Sequence, residues 1–237
     1  MKRKLERNPI GWLEQRTWSG RLLTWGWLAA VVSVYSFDLT DPIFFQRSSV
    51  PQNVMAWMLV FSIAISTAGS FRRERESGVL ELLLVSPIGE RTIISGRLRG
   101  LWGQFLPAFG LFLLVWLYLT SISVPRIDDA GLILVYAATF CSMPIIGLYF
   151  SLRCRAFMTA LLAALSMGIV IPAVSGSIIA IWWATFSPAR NMFIASYIVF
   201  WTPWLFALVQ AGIAMLCWKR LLSRLKTRSF PLDRATV

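Results

Sequence analysis

The sequence predicts an all-α, polytopic membrane protein with six transmembrane helices, both termini cytoplasmic, an amphipathic N-terminal helix, and a short cytoplasmic helix between spans two and three. Three observations predict it. Of 237 residues, 57% are hydrophobic and 14% charged, well below the roughly 25% charged of soluble domains. The charges leave six uninterrupted intervals, at 22–37, 48–71, 100–125, 130–152, 156–189 and 191–218, and a spanning helix needs about 20 apolar residues. With six spans and the N-terminus inside, 20 of the 23 Lys and Arg fall in the cytoplasmic segments 1–21, 72–99, 153–155 and 219–237, and only Arg47, Arg126 and Arg190 fall outside. That asymmetry follows the positive-inside rule, and adding or removing one span would place the basic stretch Lys219 to Arg234 on the wrong side. The net charge of +12 is therefore a topological signal and not a nucleic-acid-binding face.

The leader, residues 1–21, places Pro9 at a helix start after Asn8 and alternates Trp12, Leu13 and Trp18 with Glu14, Gln15, Arg16 and Arg21, the pattern of an interfacial amphipathic helix. The first interval holds only 16 residues, but a snorkelling Arg21 and a locally thinned bilayer let it span. A cleaved signal peptide fits less well, because no small-x-small site follows Phe37. Asp38, Asp41, Pro42 and Pro51 make the next connection turn-rich.

The spanning region, residues 22–218, continues through VPRIDDAG, where Pro125 and Gly131 bracket a tight turn and make spans three and four antiparallel neighbours. Asp128 and Asp129 in that turn read as solvated loop charges; the alternative is the carboxylate pair of a membrane-embedded enzyme. Residues 156–189 would extend about 51 Å as one helix, against a hydrocarbon core of about 30 Å. Pro172, Gly176 and Ser177 are natural break points, so span five is expected to end near Ser177 and residues 178–190, with Trp182 and Trp183, to form a re-entrant or interfacial element. One long, tilted, Pro-kinked helix is the other reading. Span six carries Pro203 and Gln210, and residues 219–237 form a basic amphipathic tail. Gln104 and Gln210 are polar in apolar surroundings; each could line a pathway or join helices.

Cys141, Cys154 and Cys217 form no CxxC pair and read as free thiols. The chain has no histidine, which removes His-based triads and His-ligated metals.

One segment does not fit a simple bundle. FRRERESGVLELLLVSPIGER, residues 71–91, sets eight charges around the apolar run Val79 to Val85. Gly78 before it and Pro87 after it delimit a helix of about two turns. Its leucines need an apolar cover, while Glu74, Glu76, Glu81 and Glu90 are unfavourable against an anionic leaflet. A transverse helix presenting a knob to a cytoplasmic protein satisfies both conditions.

The run ERESGVLELLLVSPIGERTIISGRL closely resembles the segment between spans two and three of permease subunits of type-2 ATP-binding-cassette (ABC) exporters, where the pattern E-x-E-x-G-x-L-E-x-L-L-x-S/T-P is common. The matching positions are Glu74, Glu76, Gly78, Leu80, Glu81, Leu83, Leu84, Ser86 and Pro87. GLYFSLRCRAFMTAL, residues 147–161, looks like the family's passage from span four to span five, and NPIGWLE looks like the opening of some members. The larger outer domains of some relatives are lacking.

The resemblance implies a permease half that dimerises with a second copy or a paralogue and exports a hydrophobic or amphipathic substrate across a cell membrane. Separate cytoplasmic ABC ATPase subunits would bind the ATP and Mg, with no cofactor in this chain. The coupling segment 72–99 would dock on them through Glu74, Arg75, Glu76, Gly78, Leu80, Glu81, Leu83, Leu84, Ser86 and Pro87. The residues agree that energy comes from elsewhere: there is no G-x-x-x-x-G-K-[ST], and no Gly precedes a Lys, so the chain has no phosphate-cradling loop of its own and is not expected to be an enzyme. A non-transporting membrane anchor or sensor that recruits a cytosolic protein through the same helix is the remaining alternative.

Overall fold

The computed structural model describes residues 18–40, 50–76, 89–122, 127–154, 156–186 and 192–227. The described elements are all helical: α1 (Trp18–Thr40), α2 (Val50–Glu76), α3 (Glu90–Ile122), α4 (Ile127–Arg153), α5 (Phe157–Leu165), a π turn (Ser166–Val170), α6 (Ile171–Phe186) and α7 (Met192–Thr227). Because α5, the π turn and α6 follow without a break, the described residues form six continuous rods. Five segments, Val50–Phe71, Arg91–Tyr118, Ala130–Arg153, Phe157–Ile179 and Trp201–Lys226, are long and apolar enough to cross a bilayer, and the chain is a multi-pass helical membrane protein. The expected first span, 22–37, lies within α1, and most of the leader lies outside the described residues.

The long uncharged runs explain the rods, since in hydrocarbon a backbone must satisfy its own polar groups and a helix does so within one segment. The interruptions have local causes. α3 starts where the Gly89 carbonyl accepts from the Thr92 and Ile93 amides (2.9 and 3.2 Å). α4 ends with the Cys154 amide donating to Phe150 (2.9 Å). Ala156 then adopts extended backbone, φ −87° and ψ 140°, ahead of α5. Pro107, Pro144 and Pro203 are carried inside α3, α4 and α7.

The chain divides into two units: residues up to Ser66 with Glu74–Val124, and Thr67–Arg73 with Pro125–Val237. In the first, α3 carries a buried aromatic stripe of Phe105, Phe109, Phe112 and Trp116, at the spacing that keeps one helix face inward. Phe112 and Trp116 meet edge to face at 5.3 Å. The Tyr35 hydroxyl of α1 donates to the Phe112 carbonyl at 3.4 Å, so α1 packs on this stripe.

In the second unit, the end of α2, α5, the π turn and α7 pack against α4, and α6 packs against α7. A Cβ at Gly147 would overlap the Thr67 side chain, and the Phe71 amide donates to the Ser151 hydroxyl (3.1 Å). Each helix advances four residues between these contacts, so the end of α2 runs parallel to α4. Gly131 against Pro203, Thr139 against Gln210 (3.1 Å) and Tyr149 against Arg224 (5.8 Å) step in the same sense, so α7 is parallel to α4 as well. The single rod between them, α5 to α6, must therefore carry the chain back from the end of α4 to the start of α7.

Several expectations change. The chain does not break at Ser177: it stays helical to Phe186, which is the long-helix reading, although its apolar stretch stops at Ile179. The irregularity comes earlier, at the π turn, where one extra residue is accommodated without ending the helix. Gly131, Asp128 and Asp129 belong to the start of α4 and not to a turn. Residues 72–76 continue α2, and residues 90–99 already form α3, so both ends of the expected coupling segment 72–99 are helical. The basic tail begins as a direct continuation of α7, burying Leu221 and Leu225.

Candidate functional site

The connection between α2 and α3 is closed at its base by an ion pair between Glu74, in the last two turns of α2, and Arg97, in the second turn of α3. The Arg97 side chain is 1% exposed and that of Glu74 24%. Ile93, Ile94, Leu98 and Leu101 are buried on the same stretch of α3. A guanidinium among such neighbours is tolerated only when paired, because removing it from water costs several kcal/mol, and its planar fork suits a carboxylate. The pair ties the two helices together where the intervening segment leaves and rejoins them.

Of the residues expected to meet a partner, Glu74, Arg75 and Glu76 lie on α2, while Gly78, Leu80, Glu81, Leu83, Leu84, Ser86 and Pro87 lie outside the described residues. Glu74 is engaged by its own chain, which makes it a fastener of the connection. Arg97 was not expected from the sequence, yet a signal was there: it follows Ile93 and Ile94 by four and three residues, which puts a lone cation on an apolar helix face.

A second polar cluster lies in the second unit, around the π turn. A π turn leaves the regular i to i+4 bonding pattern and frees a carbonyl. Here the Gln210 side-chain amide donates to the Gly168 carbonyl at 2.6 Å. The same nitrogen donates to the Thr139 hydroxyl at 3.1 Å, and that hydroxyl donates to the Val135 carbonyl at 2.7 Å. Gln210 and Thr139 are wholly buried. Gln210 thus joins α4, the π turn and α7, and in an apolar medium such bonds fix helix register. At Gly168 an added Cβ would lie 2.6 Å from the Met143 sulfur, so the absence of a side chain brings the turn onto α4. Gln104 is half-buried on α3.

The third cluster lies where α4 and α7 end. The Arg153 Nη1 donates to the Tyr149 hydroxyl at 3.2 Å, and the Arg224 guanidinium sits 5.8 Å from the centre of the same ring, within cation–π range. Tyr149 is buried and meets Phe150 edge to face at 5.1 Å. The three clusters fasten the connection, the long fifth rod and the basic end of α7. No protein-family model, curated protein or solved structure matches this chain.

Proposed function

We propose that the chain is the six-span permease subunit of an ABC exporter, with both termini cytoplasmic, working as a dimer with a second copy or a paralogue. It moves a hydrophobic or amphipathic substrate with energy from separate ATPase subunits that bind ATP and Mg. The observation that carries this reading is the Glu74–Arg97 pair, with its guanidinium buried, at the root of the segment bearing the E-x-E-x-G-x-L-E-x-L-L-x-S-P pattern. A docking segment transmits force only if its attachment to the spans is stiff, and a pair that joins α2 to α3 at the point of exit supplies that stiffness.

The parallel course of α2, α4 and α7 within the second unit adds support. It brings the ends of these helices, with Arg153, Lys219, Arg220, Arg224 and Lys226, to one face, in keeping with a cytoplasmic side defined by the positive-inside rule. The direction of transport and the ATPase partner rest on the family resemblance.

The test is copurification from native membranes followed by reconstitution. An ABC ATPase should accompany the chain, and its ATP turnover should rise with a hydrophobic or amphipathic substrate. Glu81→Arg should abolish that rise while leaving the permease folded. A chain that brings down no ATPase, or whose complex hydrolyses ATP at the same rate with Glu81 reversed, is not the proposed subunit.

A further inference from the structure

We propose that the corner where α4 and α7 end binds the phosphate of an anionic phospholipid, with Arg153, Arg220 and Arg224 as its ligands and Tyr149 as the post that holds two of them in place. This inference does not depend on transport activity. Two guanidiniums are drawn to one buried phenol, one to its hydroxyl and one to its ring face. An anion can accept from both, and the planar fork of arginine fits phosphate oxygens in pairs. α7 carries Lys219, Arg220, Arg224 and Lys226 and no Asp or Glu from Met192 to Thr227, so the helix itself adds only positive charge here. Arg153 lies in the last turn of α4, where the helix dipole favours a cation, and it is exposed.

Depth and surface select a lipid over a soluble anion or an acidic protein. The uncharged runs of α4 and α7 end at Leu152 and Trp218, just before Arg153 and Lys219, the level at which headgroups lie. Leu216, 61% exposed, precedes Arg220 by one helical turn, and Arg220 precedes Arg224 by one more, so one face of α7 passes from bare leucine to arginine. A ligand with an acyl chain and a phosphate follows both parts of that face.

The experiment uses the full chain, purified and exchanged into nanodiscs containing phosphatidylcholine and phosphatidylglycerol in equal amounts. Retained lipid is read by native mass spectrometry. Phosphatidylglycerol should be enriched on the wild-type chain. Each cation near an anionic headgroup multiplies the affinity about fivefold, so the pair Arg153→Gln with Arg224→Gln should lose about thirtyfold. The pair Arg153→Lys with Arg224→Lys keeps the charge and the fold but loses the planar fork, and its enrichment should fall severalfold without vanishing; this arm decides the matter if the Gln pair does not fold. Equal retention of both lipids by the wild type overturns the proposal, as does unchanged enrichment in the Lys pair. Displacement of the lipid by inorganic phosphate alone, or by an acidic peptide, also overturns it and assigns the corner to a soluble anion or to a protein.

Discussion

Arg97, buried in the second turn of α3, is neutralised by Glu74 near the end of α2. An ion pair with a buried guanidinium therefore sits at the root of the segment with the most distinctive sequence. An ion pair with one member fully withdrawn from solvent is asymmetric: the carboxylate retains some access to water, whereas the guanidinium does not.

That asymmetry orders the effects of mutation. Glu74→Ala strands the buried cation and should cost about 3–5 kcal/mol. Arg97→Leu removes the cation and leaves a carboxylate that is partly solvated, so it should cost less. The exchange Glu74→Arg with Arg97→Glu should recover part of the loss. Unfolding of the purified chain by titration with a denaturing detergent ranks the variants; equal losses for both single changes, with no recovery on exchange, would show that the pair does not support this junction.

Gln210 is the second sensitive position. Gln210→Leu leaves the Gly168 carbonyl and the Thr139 hydroxyl without their donor and should cost about 1–2 kcal/mol, toward the upper end for interhelical bonds in membranes. Thr139→Val should cost less, because Gln210 keeps its bond to Gly168. Since the two residues share one network, the double change should cost less than the sum of the singles. A double-mutant cycle on detergent unfolding measures this, and strict additivity would contradict the bonding described.

The Thr67 side chain occupies the space that a Cβ at Gly147 would need. Gly147→Ala should destabilise by about 1–3 kcal/mol through overpacking, and Thr67→Gly should relieve it in the same chain. The recovery of monodisperse protein after extraction gives a direct readout, with Thr67→Gly alone as the control.

The direction of the helices is open to chemical labelling. In a variant with Cys141, Cys154 and Cys217 replaced by Ser, Arg153→Cys and Lys226→Cys should react with a membrane-impermeant thiol reagent from one side of sealed vesicles. Asp129→Cys should react from the other side only. Labelling of Arg153→Cys and Lys226→Cys from opposite sides would break the parallel arrangement of α4 and α7.

The helical class and the places of five spans follow from where charges are absent, because burying a charge in hydrocarbon is costly enough to dominate local preference. Helix ends were less legible. Arg72 to Glu76 and Glu90 to Arg99 were assigned to a connection by their charge, but a helix can carry charge past the apolar core, and Glu74 with Arg97 cancel each other there. Pro172, Gly176 and Ser177 suggested a break that the chain does not make, since a long helix tolerates proline when neighbours take up the freed groups. The π turn has no composition signal of its own in SMGIV. Gln210 stood out as polar among apolar residues, but its partner was hidden, because a backbone carbonyl freed by a turn geometry leaves no mark in the amino-acid order.

The π turn also sets the rotational phase of everything that follows it in the rod. One additional residue turns the remainder of a helix by about 100°, so the side of α6 that meets α7, where a Cβ added at Gly176 would touch the Thr202 methyl, is chosen by five residues two turns upstream. Deleting a single amino acid from Ser166–Val170 would heal the winding and swing Gly176 away from Thr202. In any gapless alignment with a chain that has a regular helix here, every position beyond Val170 would be compared with one about 100° away around the rod.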